Sequence, residues 1–288
     1  MVVYRLGAEG GWVLGRGGAG ARAAFRLSMF PARSAEHTRA VLMLLLANLF
    51  WGLSFPLIKA IMLLQAKLVP ATSSWFTAIY ALAPRFVLAL GLMLLLRRGC
   101  WRATAREWKQ GVIIGLFASG GMLLQIDGLQ FTAASTSAFL TQLYAILIPV
   151  WIAVRARHNP GALVWTCCLL VLAGVAVLGQ FDWEKMRFGR GEWETLLCSF
   201  FFMGQILTLG RKDFAANRAP QITFVTFVTQ GVIFVSLVGV SAPDLEAVLA
   251  PWRSVAWVAF TVGLTVFCTV GAYSLMNAWQ PKMSETEA

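Results

Sequence analysis

The sequence predicts an all-α, polytopic membrane protein with eight transmembrane helices, and three observations predict it. The 288 residues are 58% hydrophobic and 13% charged, against about 25% charged in an ordinary soluble domain. Mean hydropathy is +0.70, and Trp 12 and Phe 20 suit a lipid environment with interfacial aromatics. From Ala40 onward, apolar runs of about 20 residues follow one another, the length that crosses a bilayer as a helix. Runs such as Val41 to Leu46 do not alternate, as β-barrel strands would. So little charge excludes an ordinary water-soluble enzyme and a disordered chain.

Residues 1–39 form a basic Gly/Arg-rich tail, with seven glycines, six arginines and the two acids Glu9 and Glu36. It holds no apolar core of signal-peptide length and is expected to be disordered. Met29 is an alternative start, and an Arg-rich organellar transit peptide a weaker reading.

The spans follow in order. Span 1 (40–62) carries Trp51, Gly52 and Pro56 near its middle, the signs of a bent helix facing other helices. Span 2 (78–97) has Pro84 and Arg85 near its start. Span 3 (111–129) repeats Gly111, Gly115 and Ser119 every four residues, a spacing that lets helices approach closely. Span 4 (134–155) contains Pro149, a second expected kink beside Pro56. Spans 5 (162–180), 6 (194–211), 7 (222–242) and 8 (254–279) complete the series. The connections are too short for an inserted soluble domain.

With the N-terminus inside, seventeen Lys and Arg fall in inner segments and five in outer ones. That bias predicts a cytoplasmic N-terminus and explains the net charge of +11 without a nucleic-acid partner. Trp101, Trp108, Trp165, Trp183, Trp193, Trp252 and Trp279 fall near span ends as anchors.

The chain also repeats itself. Gly52 and Lys59 meet Gly204 and Arg211 at an offset of 152, and Gln130, Thr136 and Ala138 meet Gln280, Thr286 and Ala288 at 150. Residues 40–180 form a five-helix repeat, 181–193 an inter-repeat loop, and 194–288 a second repeat with three helices. Duplication of an odd-numbered unit inverts the second copy, which places a substrate site between the halves. A second copy of five would make ten helices, so the chain reads as C-terminally truncated by two.

Trp51 to Lys59 in span 1, Gly128 to Leu140 across the span 3–4 turn, Pro149 and Trp279-Gln280-Pro281 carry a family resemblance. Over about residues 40–288 the chain resembles the EamA-type branch of the drug/metabolite transporter superfamily. The resemblance implies ten helices in two inverted five-helix repeats (5+5), both termini cytoplasmic, and export or exchange of small metabolites.

The candidate cavity residues are Trp51, Ser54, Phe55, Lys59, Arg85, Gln125, Thr141, Gln142 and Tyr144. Trp51, Ser54 and Phe55 share one helix face. Lys59 either snorkels to the outer interface or lines the pathway. Arg85 either anchors to headgroups or receives a carboxylate or phosphate. Gln125 and Gln142 are amides in hydrocarbon and need polar partners on other helices, in water or on a substrate. Asp127 is an interfacial acid or a carrier of coupled protons.

No catalytic or metal-binding motif occurs, and both histidines, His37 and His158, lie in the tail or a loop. The five cysteines show no metal-ligand spacing and read as small buried hydrophobes. No cofactor and no metal are expected. The partners expected are the bilayer, a small-molecule substrate and a second copy in a homodimer. The function that follows is secondary transport of small metabolites such as amino acids, by alternating access, in a bacterial inner membrane. Two rivals stand beside it: a non-transporting assembly subunit or decayed fragment, and a membrane-embedded transferase.

Overall fold

The computed structural model describes residues 3–6, 12–15, 35–70, 72–157, 161–178 and 189–283. Two compact units make up the chain, 1–39 and 40–288. In the first, strands β1 (Val3–Leu6) and β2 (Trp12–Gly15) pair antiparallel, with Val3 opposite Gly15. Most of the expected disordered tail, most of the 181–193 loop and the 284–288 end of the repeat match lie outside the described residues.

From Ala35 onward the described chain is helical. Its helices are α1 (Ala35–Leu68), α2 (Ser74–Leu96), α3 (Ala105–Phe131), α4 (Ala134–Thr141), α5 (Tyr144–Ala156), α6 (Ala162–Leu178), α7 (Arg190–Leu209) and α8 (Ala219–Ser241). Short α9 (Leu245–Leu249) leads to α10 (Val255–Gly263), a π-helical stretch at Leu264–Gly271 and α11 (Ala272–Trp279). Helices are the expected element, because backbone groups in lipid must be satisfied within their own segment.

Six stretches among the described residues are long and apolar enough to cross a membrane: 35–68, 74–96, 105–131, 134–155, 219–241 and 255–282. They correspond to predicted spans 1 to 4, 7 and 8. The other two predicted spans fall on α6, with an apolar run of Ala162–Gly174, and on α7, whose start carries Arg190, Glu192 and Glu194. The eight-span expectation therefore stands at six by this criterion. Span 4 is broken at Gln142 and Leu143 into α4 and α5, a step that hydropathy does not register.

Helix starts follow local chemistry. Ser73 caps α2 by accepting from the Phe76 N–H. Thr104 and Glu107 form a capping box on α3, which satisfies orphan N–H groups reciprocally.

Helix α3 is the central strut, packed along α7 and α8, while α2 packs on α8 and on the π-helical stretch. The small-residue stripe explains the close approach. A Cβ on Gly111 would sit 2.6 Å from Val225 Cβ, and one on Gly115 would sit 2.7 Å from Thr229 Cβ, both on α8. Gly115→Val is expected to destabilise the bundle by about 1–3 kcal/mol through overpacking. Thermal unfolding of the detergent-solubilised chain measures it, and an unchanged midpoint refutes this packing role.

A candidate solute cavity between the helices

Eight of the nine predicted residues converge on one cavity. Trp51, Ser54 and Phe55 come from α1, Arg85 from α2 and Gln125 from α3. Thr141, Gln142 and Tyr144 come from the α4–α5 break. The cavity has about 650 Å³ of empty space, its open mouth included.

The shared face of Trp51, Ser54 and Phe55 follows from their i, i+3, i+4 spacing. Trp51 meets Tyr273 of α11 edge-on, with ring centroids 5.9 Å apart. Ser54 donates to the Trp51 carbonyl oxygen of its own helix at 2.6 Å, which satisfies its hydroxyl without a neighbour. Gln125 donates to Thr141 Oγ1 at 3.0 Å, and Thr141 donates to the Ser137 carbonyl at 2.8 Å. The Gln125 amide thus bonds across helices at the cavity wall, as an amide in hydrocarbon must.

Arg85 is not on the protein surface. It lies twelve residues into α2, fully buried at 1% exposure, so the headgroup-anchor reading is overturned. Pro84 precedes it within the helix rather than opening it. The guanidinium Nε donates to Thr269 Oγ1, and Nη2 reaches the Cys268 carbonyl at 3.4 Å. Both acceptors belong to the π-helical stretch, and Thr269 Oγ1 itself donates to the Leu264 carbonyl at 3.1 Å. Local π-helical geometry of this kind recurs at functional sites.

Lys59 is absent from the cavity wall. Its ammonium donates to the Leu129 carbonyl at 2.6 Å and the Thr132 carbonyl at 3.3 Å. These carbonyls lie at the C-terminal end of α3, where a cation is favoured by the helix dipole. Lys59 therefore ties α1 to the end of α3. Asp127 is also accounted for: it is fully buried and ion-paired with Arg190 at the start of α7.

Several wall residues escaped sequence reasoning: Met122, Phe202, Gln205, Ile206, Tyr273 and Met276. Gln205 carried the same signal as Gln125, an amide inside an apolar run. Tyr273 carried a weaker one, a hydroxyl away from a span end. Its hydroxyl reaches Met122 Sδ at 3.5 Å. The methionines and aromatics gave no signal, because those types fill any apolar core. The wall combines residues 51–144 with residues 202–276. Its chemistry is aromatic, thioether and amide, with one guanidinium. Such a wall suits binding of a small amphipathic molecule. Among the described residues, no cluster of His, Cys, Asp or Glu has the arrangement of a metal site.

Comparison with known proteins adds three findings. The profile of the EamA-like transporter family matches residues 38–180. No curated protein matches the chain. The crystal structure of another protein is similar over 86% of this chain and 81% of that one, with a TM-score of 0.62 and 14% identity. At that identity the likeness speaks for the fold alone.

Proposed function

Because this chain belongs to the EamA-like transporter family of the drug/metabolite transporter superfamily, and so is a multi-pass membrane transporter, we propose that the cavity is its solute site and alternating access its mechanism. The observation that carries this is the convergence of polar side chains from residues 51–144 and 202–276 on one cavity. Inverted-repeat transporters bind their solutes in such a place, between the halves. The prolines inside α1, α2 and α5 and the break at Gln142 supply bending points next to the cavity.

In this reading the chain exports small metabolites such as amino acids, driven by a gradient rather than by ATP and without catalysis of a reaction. It uses eight helices of a ten-helix inverted-repeat plan, in a bacterial inner membrane with the N-terminus inside. It pairs as a homodimer, and nucleic acid has no part.

Counterflow in proteoliposomes tests the proposal, with a panel of radiolabelled metabolites. Thr141→Trp fills the cavity from a wall position and is expected to reduce flux by about tenfold or more, the effect of losing at least 1.4 kcal/mol of solute binding. Flux that survives the filled cavity places the pathway elsewhere. A folded chain that neither binds nor moves any solute favours the assembly-subunit reading instead.

A further inference from the structure

We propose that Arg85 selects the charge of the solute: the cavity takes the carboxylate end of a monoanionic, otherwise apolar molecule. This rests on the cavity being the solute site. Arg85 is 1% exposed and lies on the cavity wall. Two of its three nitrogens are engaged, Nε by Thr269 Oγ1 and Nη2 by the Cys268 carbonyl. Nη1 is buried without a hydrogen-bond partner. Guanidinium does not give up its proton in proteins, so this side chain is a permanent cation.

A buried cation requires compensation, since unpaired charge in a low-dielectric interior is costly. The described residues do not supply it. None of the ion pairs among the described residues includes Arg85. Asp127 is taken by Arg190, and Glu107 by Arg218. The other polar groups on the wall are neutral amides and hydroxyls. They solvate a dipole but balance no charge. Gln125, the amide from α3, already spends its N–H₂ on Thr141.

Charge balance then decides among anions. One guanidinium neutralises one negative charge. A carboxylate leaves the pair neutral, whereas a phosphate monoester dianion leaves a net negative charge in the same apolar wall. The rest of the wall, with Trp51, Phe55, Phe202 and Tyr273, accepts an aromatic or aliphatic body. Thr269 and Cys268 hold the guanidinium by two of its nitrogens, so the third is oriented before the solute arrives.

The test is binding to the purified full chain in lipid nanodiscs, read by thermal shift and by tryptophan fluorescence. The probes share one body: 3-phenylpropionate, its amide, 3-phenylpropylamine and 2-phenylethyl phosphate. The carboxylate is expected to bind about tenfold or more tighter than the amide and the amine, the scale of one charge-assisted hydrogen bond. Arg85→Met is expected to erase that preference, and Arg85→Lys to retain part of it. Should Arg85→Met not fold, the ranking of the four probes on the wild-type chain decides alone. Equal binding of amide and carboxylate overturns the charge assignment, as does a phosphate that outranks the carboxylate. Both outcomes leave the cavity as the solute site. Failure of every probe to bind removes the cavity reading, and this inference with it.

Discussion

Arg190→Met is expected to destabilise the bundle by about 3 kcal/mol, because it leaves the carboxylate of Asp127 buried without a counter-charge. Asp127 has 0% side-chain exposure while Arg190 is 44% exposed. The pair is therefore asymmetric. Asp127→Asn leaves a cation that solvent still reaches, and its cost is expected near 1 kcal/mol. The double variant Arg190→Met with Asp127→Asn should recover more than half of the larger loss. Arg190 has further contacts that confine the geometry. Its Nε donates to Glu194 at 2.7 Å and its guanidinium lies 4.5 Å from the Phe131 ring centroid. Nearby, a Cβ on Gly128 would sit 2.8 Å from the Gly191 carbonyl oxygen, so α3 and α7 touch backbone to backbone. Thermal unfolding of the four chains in detergent measures the cycle. Equal losses for the two single variants contradict the asymmetry.

Glu107→Ala is expected to cost about 3 kcal/mol, again through one buried carboxylate with several donors. Glu107 is 2% exposed. It accepts from the Thr104 N–H at 2.7 Å, from the Arg218 N–H at 3.0 Å, and from Arg218 Nε and Nη2 at 2.8 and 3.0 Å. One residue thus caps α3 and holds the start of α8. Glu107→Gln keeps the shape and an acceptor oxygen and should lose less than half as much. Arg218 is 52% exposed on its side chain, so Arg218→Ala frees a carboxylate still capped by Thr104 and should fall between the two. The same unfolding measurement ranks them. A Glu107→Ala chain as stable as wild type rules out this tie.

These two carboxylates lie near opposite ends of α3. Glu107 ties one end to α8 and Asp127 ties the other to α7. The polar interior of the bundle is thereby divided between ties that close on themselves and a cavity where Arg85 does not.

The helices at 74–96, 105–131 and 219–241 lie close to their predicted runs, since hydrophobic length reports directly on what crosses a bilayer. Gln125 and Thr141 were legible as residues needing partners, because an amide in hydrocarbon announces its own cost. An apolar run beginning at Ala78 puts Arg85 near the start of its span, whereas Ser74 to Thr77 extend the helix and put it twelve residues in. Lys59 was assigned to the cavity, and only the carbonyls of Leu129 and Thr132, 70 and 73 residues away in the chain, account for it. Composition and hydropathy alone therefore determined that this is a helical membrane chain, with six of the eight expected runs long and apolar enough to cross. The tertiary structure decided which side chains share a space. The physical reason is that lipid is as apolar as a helix interior, so burial in the membrane carries no pattern in sequence that distinguishes a lipid-facing side from a cavity-facing one.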